Sequence, residues 1–231
     1  MFICTKYIKF LNKDKKMGVQ YVGVKILLSR RTSDVKKFVK FCEGDFGKEV
    51  LRREAHYLRN ELRGRKRILD IGCGIGSFEE MLPELNIVAL DSSEEMLEEA
   101  RRRSDKKFVL GNAENLDFPD QSFDAVFMVT TLEFVENYGK AVDEAARVLV
   151  PGGKLVVMIL NPESEYFKNH VRKEDSYFRK IKHTNLKEIE RYIQKLFVAS
   201  GEYFLGIQGV DVFDTNDKSL AALYVVKGIK A

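Results

Sequence analysis

The 231-residue sequence has no tryptophan, four prolines, three histidines and three cysteines. The cysteines, Cys4, Cys42 and Cys73, are odd in number and lack metal-ligand spacing. That excludes a disulfide framework, gives no reason to expect a metal site, and points to a reduced, cytoplasmic setting. No apolar run reaches the roughly 18 residues that a membrane-spanning helix requires. No internal repeat or low-complexity tract is present, which excludes solenoid and fibrous architectures. What remains is an ordinary globular composition, 45% hydrophobic, with enough material for one sizeable core.

The net charge of +4 conceals an asymmetry. Residues 1–40 carry eleven Lys and Arg against Asp14 and Asp34, a net of +9, so the remainder is acidic by −5. A basic arm of this kind can contact a polyanion or a membrane surface, but more often it is a solvated leader, so it carries no functional expectation by itself. Lysines interrupt each of its apolar stretches, which argues against a signal peptide, and Met17 offers a second initiation position. Residues 19–28 are rich in β-formers and fit either a strand or part of a cap.

Helix and strand signals organise the rest. Residues 33–42 predict a short helix. Leu51, Ala55, Leu58 and Leu62 recur at +4, +3 and +4, the stripe of a core-packing helix over 47–63. His56 falls off that stripe. From Arg67 onward strand and helix patterns alternate. Strands are expected at 68–71, 87–90, 107–110, 125–129, 154–160, 203–207 and 221–227. Helices are expected from a Ser92-x-x-Glu95 capping box to Arg103, over 139–149, and from an Asn185 cap to Gly201. Strands alternating with helices imply an α/β, doubly wound, mainly parallel seven-stranded sheet. The expected organisation is a basic arm or cap over 1–46 and one domain over 47–231.

In such a sheet the ligand lies beyond the C-terminal strand ends, so the residues following each strand are the informative ones. After the first comes Asp70-Ile71-Gly72-Cys73-Gly74-Ile75-Gly76. Glycines at alternate positions let the backbone approach a ligand closely, and the helix behind them presents unpaired N–H groups. The G-x-G-x-G spacing departs from the G-x-G-x-x-G of dinucleotide sites. After the second strand comes Asp91, an acid placed to accept both hydroxyls of a ribose, with Met96 one turn later fitting an adenine face or the core. After the third come Asn112, Ala113 and Glu114, where a small residue leaves room for a flat base.

Taken in order, these segments resemble the small-molecule, methyltransferase type 11-like branch of the class I S-adenosylmethionine (SAM)-dependent methyltransferases. The matching stretches are Leu69-Asp70-Ile71-Gly72-Cys73-Gly74, Asp91-Ser92-Ser93, Gly111-Asn112-Ala113-Glu114-Asn115-Leu116, Ser122-Phe123-Asp124 and Arg147-Val148-Leu149-Val150-Pro151-Gly152-Gly153. The resemblance implies a Rossmann-like methyltransferase fold and SAM as cofactor. It implies that Asp70, Gly72, Cys73, Gly74 and Gly76 cradle the methionine part. Asp91, with Ser92 and Met96, would hold the ribose; Asn112, Ala113 and Glu114 would frame the adenine; Val129 and Thr130 would close the pocket. The family most often has Asp where this chain has Asn112, which implies weaker selectivity at the adenine amine. The short stretch between Gly76 and Ile87 implies a truncated first helix.

Strand four runs into Val129-Thr130-Thr131-Leu132, without the N/D-P-P-Y/F of enzymes acting on planar exocyclic amines, and no Pro-Cys follows to serve as a nucleophile on cytosine. A small-molecule acceptor is therefore expected, under an insertion at about 161–183. Within it His170 is the first choice to orient or deprotonate the acceptor, with Tyr166 and His183 beside it. Glu133 is a further candidate for a cationic or amine acceptor. Competing readings are an RNA or protein methyltransferase using the basic arm and loop, a nicotinamide-dependent oxidoreductase, and a non-catalytic SAM-binding protein.

Overall fold

The computed structural model describes residues 35–231, so the expected strand or cap at 19–28 and most of the basic arm lie outside the described residues. The chain divides into two units, Met1–Val39 and Lys40–Ala231, and the second carries the sheet. The short helix expected at 33–42 occupies 35–43. Among the described residues no helix is long and apolar enough to cross a membrane.

Helix α1 (Asp45–Glu61) follows, burying Val50, Leu51, Ala55 and Leu58 along one stripe as the spacing predicts. The order is then β1 (Ile68–Ile71), α2 (Ser77–Met81), β2 (Ile87–Asp91), α3 (Glu94–Arg103), β3 (Lys107–Leu110), β4 (Phe123–Val129) and α4 (Tyr138–Val148). Next come β5 (Leu149–Leu160), α5 (Glu165–Val171), a 3-10 helix (Tyr177–Lys180), α6 (Leu186–Ile193), β6 (Phe197–Gln208), β7 (Asp211–Phe213) and β8 (Ala221–Lys230). Helix α2 has five residues, the truncation that the short Gly76–Ile87 spacing implies.

The sheet order is β3-β2-β1-β4-β5-β8-β6-β7. Strands β3 to β5 of that order pair in parallel, whereas β8 is antiparallel to both β5 and β6. The direction of winding reverses between β1 and β4, so the crevice at their C-terminal ends is where a ligand belongs in this topology. Strand β4 is buried along almost its whole length, as a strand covered on both faces must be.

The sheet has eight strands, not the seven expected. The added one, β7, is three residues long and returns on β6 through Gly209 and Val210, with Gly209 at φ +62°. A strand so short has no periodicity to detect.

Two further expectations are corrected. The N-cap of α3 is Ser93, whose hydroxyl accepts the Met96 N–H, so Ser92 and Glu95 do not form the capping box. Gly201 does not end the helix capped by Asn185, which stops at Ile193; it sits inside β6, opposite Val226. Its lack of a side chain has a cause there. A Cβ at Gly201 would lie 2.0 Å from the Tyr224 hydroxyl oxygen and 2.8 Å from Glu190 Oε1. Those groups form a knot: Tyr224 donates to Glu190 at 2.9 Å, and Lys187 donates to both at 2.8 and 2.9 Å.

Residues of the later motifs hold the loops at the strand ends. The Asp124 carboxylate accepts the Lys66 and Arg67 N–H groups at 3.0 Å, fixing the entry to β1. Arg147, in the last turn of α4, donates to the Leu116 and Phe118 carbonyls, to Asp120 and to Glu144. Glu144 in turn accepts the Leu116 N–H at 2.7 Å. The loop after β3 is thus tied to α4 from both sides.

Gly201→Ala should overpack the Tyr224–Glu190–Lys187 knot and cost about 1–3 kcal/mol, measured as a drop in urea midpoint at unchanged slope.

Candidate SAM-binding site

At the end of β1 the chain turns sharply through three left-handed glycines, Gly72 (φ +84°), Gly74 (φ +55°) and Gly76 (φ +74°). Only glycine takes these angles without strain, and at Gly72 a Cβ would also lie 2.3 Å from Thr131 Oγ1. The turn is pinned because Gly72 and Cys73 both donate to the Leu90 carbonyl, at 2.7 and 3.0 Å. Gly74 N–H donates to Asp91 Oδ2 at 2.8 Å, and Ser93 N–H to Asp91 Oδ1 at 2.8 Å. Each carboxylate oxygen thereby keeps lone-pair capacity for a further donor. Gly111 N–H donates to the Asp91 carbonyl at 3.0 Å, and Thr131 Oγ1 to the Gly72 carbonyl at 3.4 Å. The four loops that follow β1, β2, β3 and β4 are therefore joined to one another along a single edge of the sheet.

The remaining expected cofactor residues lie in these loops. Ser92 is exposed, Met96 is half-buried in the first turn of α3, and Ala113 is buried behind Asn112. Asn112 Oδ1 accepts the Glu114 N–H at 2.9 Å, so one lone pair of the expected adenine acceptor is already used. The Glu114 carboxylate is engaged elsewhere. Its Oε1 accepts the Glu136 and Asn137 N–H groups at 2.8 and 3.1 Å, bracing the loop against the start of α4. Val129 is buried, and Thr130, at φ +46°, bends the chain out of β4 while its N–H stays bonded to the Met158 carbonyl. A β-branched residue in that conformation is strained, as residues at binding sites often are.

Beneath the glycine turn lie two carboxyls, and the second of them is not marked by any motif. Asp70 and Glu79 are each 1% exposed, and no donor reaches Asp70 Oδ2 or either Glu79 oxygen. Burial pushes the Asp70 carboxyl well above its ordinary value, and the neighbouring Glu79 charge adds to this; burial pushes Glu79 up to about 7. Two acids that cannot both ionise share a proton until a cation arrives. An orphaned carboxylate under a glycine cradle fits the α-ammonium of a bound methionine group. Burial also drives the Cys73 thiol up, which favours its neutral form.

On the acceptor side the structure separates the candidates. Tyr166 and His170 come together on α5 with ring centroids 4.3 Å apart, and His170 stacks on Phe178 at 5.2 Å. His170 Nδ1 donates to the Tyr166 carbonyl at 2.8 Å, which fixes the tautomer and leaves Nε2 as an acceptor. Burial lowers the pKa of His170, keeping the ring neutral. His183 is elsewhere, with Nε2 on the Val135 carbonyl at 3.0 Å and the ring edge-on to Tyr138. Glu133 is sealed from solvent: Oε1 accepts the Leu160 N–H at 3.0 Å, and its backbone carbonyl accepts the Lys182 and His183 N–H groups. These contacts make Glu133 a brace between β5 and the insertion. Glu54, on the buried stripe of α1, carried no sequence expectation. A signal for it exists, since an acid three residues after Leu51 falls on the apolar face.

Glu79 gives a test of the buried pair. Its folded pKa lies above the 4.5 of a free carboxyl, so its contribution to stability is full below about pH 4.5 and is lost as pH rises through about 7. Glu54 and Glu133, pushed up by burial to about 8 and about 7, act with the same sign. Melting temperature of the unliganded protein should fall across that range, and Glu79→Gln should make the fall shallower. An unchanged slope would contradict a shared proton.

The family model described as a methyltransferase domain matches residues 69–157. An uncharacterized protein of Methanocaldococcus jannaschii is 31% identical over 163 residues, 70% of each chain. The demethylmenaquinone methyltransferase of Renibacterium salmoninarum is 45% identical over 95 residues, and the match spans 40% of this chain and 40% of that enzyme. Among solved structures, a SAM-dependent methyltransferase of Thermotoga maritima is similar with a TM-score of 0.73 at 26% identity, over 85% of this chain and 96% of its own. With the glycine turn, Asp91 and the reversed sheet at one edge, these likenesses lead to one conclusion: the chain belongs to the class I SAM-dependent methyltransferases.

Proposed function

We propose that this chain methylates a small-molecule acceptor held between the SAM site and the insertion at 161–183. The observation that carries the reading is the joining of four strand-end loops around the orphaned Asp70 carboxylate. Asp70, Gly72, Cys73, Gly74 and Gly76 hold the methionine part. Asp91 takes the ribose hydroxyls on the lone pairs that Gly74 and Ser93 leave free, with Ser92 and Met96 beside it. Asn112 and Ala113 frame the adenine, Glu114 keeps their loop in place, and Val129 and Thr130 close the pocket.

Bound SAM supplies an electrophilic methyl on a sulfonium, so the protein has to align the acceptor and exclude water rather than build a nucleophile. Tyr166 and neutral His170 are the residues offered to the acceptor, His170 through Nε2. The Renibacterium relative is named for demethylmenaquinone, a small molecule, which agrees with the acceptor class proposed.

Calorimetric titration with SAM and with S-adenosylhomocysteine tests the cofactor assignment. Both should bind, and Asp91→Ala should weaken each by about 1.5–3 kcal/mol, the loss expected for hydrogen bonds to a charged group. Absence of binding by a folded sample would sink the reading.

A further inference from the structure

The insertion that follows β5 is fastened at both ends by one residue. Glu133 Oε1 accepts the Leu160 N–H at 3.0 Å, just before the insertion begins. The Glu133 backbone carbonyl accepts the Lys182 and His183 N–H groups at 2.9 and 3.2 Å, where the insertion ends. Glu133 is fully buried, so water does not compete for the contact its side chain makes. Asn161, also fully buried, fixes the entry a second time. Its Nδ2 donates to the Lys218 and Ala221 carbonyls at 2.7 and 2.8 Å, and its N–H to the Ala222 carbonyl at 2.8 Å.

Between these ends the segment is lightly held. Over residues 162–181 only Ser164 and Phe167 are buried, and the 3-10 helix buries nothing. Its backbone bonds close on the segment itself: Lys168 N–H donates to Ser164, Lys173 to His170, Ser176 to Lys173, Arg179 to Ser176 and Ile181 to Phe178. Its ties to the body include the Lys218–Glu163 ion pair and the ring contacts Phe46–Tyr166 at 6.1 Å and Phe134–Tyr177 at 4.9 Å. That ion pair is exposed and adds little. A stretch with few buried apolar groups and internal hydrogen bonds, set between two fixed ends, is one that opens without unfolding the sheet. Tyr166 and His170, the side chains offered to the acceptor, ride on it.

We propose that residues 162–181 form a lid that opens as a unit to admit the acceptor and closes to complete the site, and that Glu133 is its latch. This rests on the methyl-transfer reading above, which places the acceptor under the insertion. Glu133 is a positioning residue: its side chain holds it to β5, and its backbone holds the exit of the lid. Loss of the first contact therefore loosens the second. Glutamine keeps a carbonyl oxygen for the Leu160 N–H, whereas alanine has none.

The test is amide hydrogen exchange on the full chain, read by mass spectrometry for the wild type, Glu133→Ala and Glu133→Gln. In the wild type the amides of 165–181 should exchange together, at least about tenfold faster than those of β4 and β5. Glu133→Ala should speed exchange over 162–181 by about a further tenfold, the factor set by losing one buried hydrogen bond, and leave β1 and β2 unchanged. Glu133→Gln should stay within about twofold of the wild type, a rescue that a mere loss of side-chain packing would not distinguish from alanine. Lid amides as protected as β4 and β5 in the wild type would overturn the proposal without any variant. An acceleration in Glu133→Ala that is absent, or spread evenly over the sheet, would overturn it too. Failure of the wild type to bind S-adenosylhomocysteine would instead overturn the methyl-transfer reading.

Discussion

The hydrogen bond from Gly74 N–H to the Asp91 carboxylate is the contact on which the rest of the site depends. It joins the tip of β1 to the tip of β2, and it can form only because the glycine turn folds back over the sheet edge. That turn requires three left-handed residues in five, with no room for a Cβ at Gly72. Once it is in place, Asp91 positions Ser93 as the cap of α3, and its own carbonyl receives the loop after β3. A single residue, through its carboxylate and its backbone carbonyl, thus sets the spacing of three loops before any ligand is bound. Such preorganisation is what alignment chemistry needs, because the loops then need no rearrangement to receive the cofactor.

The motif residues that made the chain legible owe that legibility to similar physical duties. Asp124 binds the two N–H groups that start β1, and Arg147 gathers two carbonyls and two carboxylates around the loop after β3. Each acts at a fixed offset from a strand, so linear spacing preserves it. The β3 limits, the short α2 and the stripe of α1 were likewise visible, since each is written in local pattern. What escaped depends on distant partners. Gly201 resembles a helix stop, and only the Tyr224 hydroxyl across the sheet explains its place in β6. Strand β7 exists because β6 is there to pair with it. Nor does the spacing show that Glu114 Oε1 is bonded to the N–H groups at the start of α4. His183 and Tyr166 lie in one insertion, and the fold sends them to different neighbours.

Buried acids are the least legible feature and the most informative. Asp70, Glu79, Glu54 and Glu133 are all nearly or fully sealed from solvent, and three of them have carboxyl oxygens that no donor reaches. Random placement of charge in a core would be removed by the cost of desolvation. The four differ in what they do with it. Glu133 recovers part of its cost by holding the Leu160 N–H and so serves the frame. Asp70 and Glu79 lie together under the glycine turn, where the Glu79 charge raises the cost of ionising Asp70. Glu54 stands on the apolar stripe of α1, and burial pushes its carboxyl up to about 8.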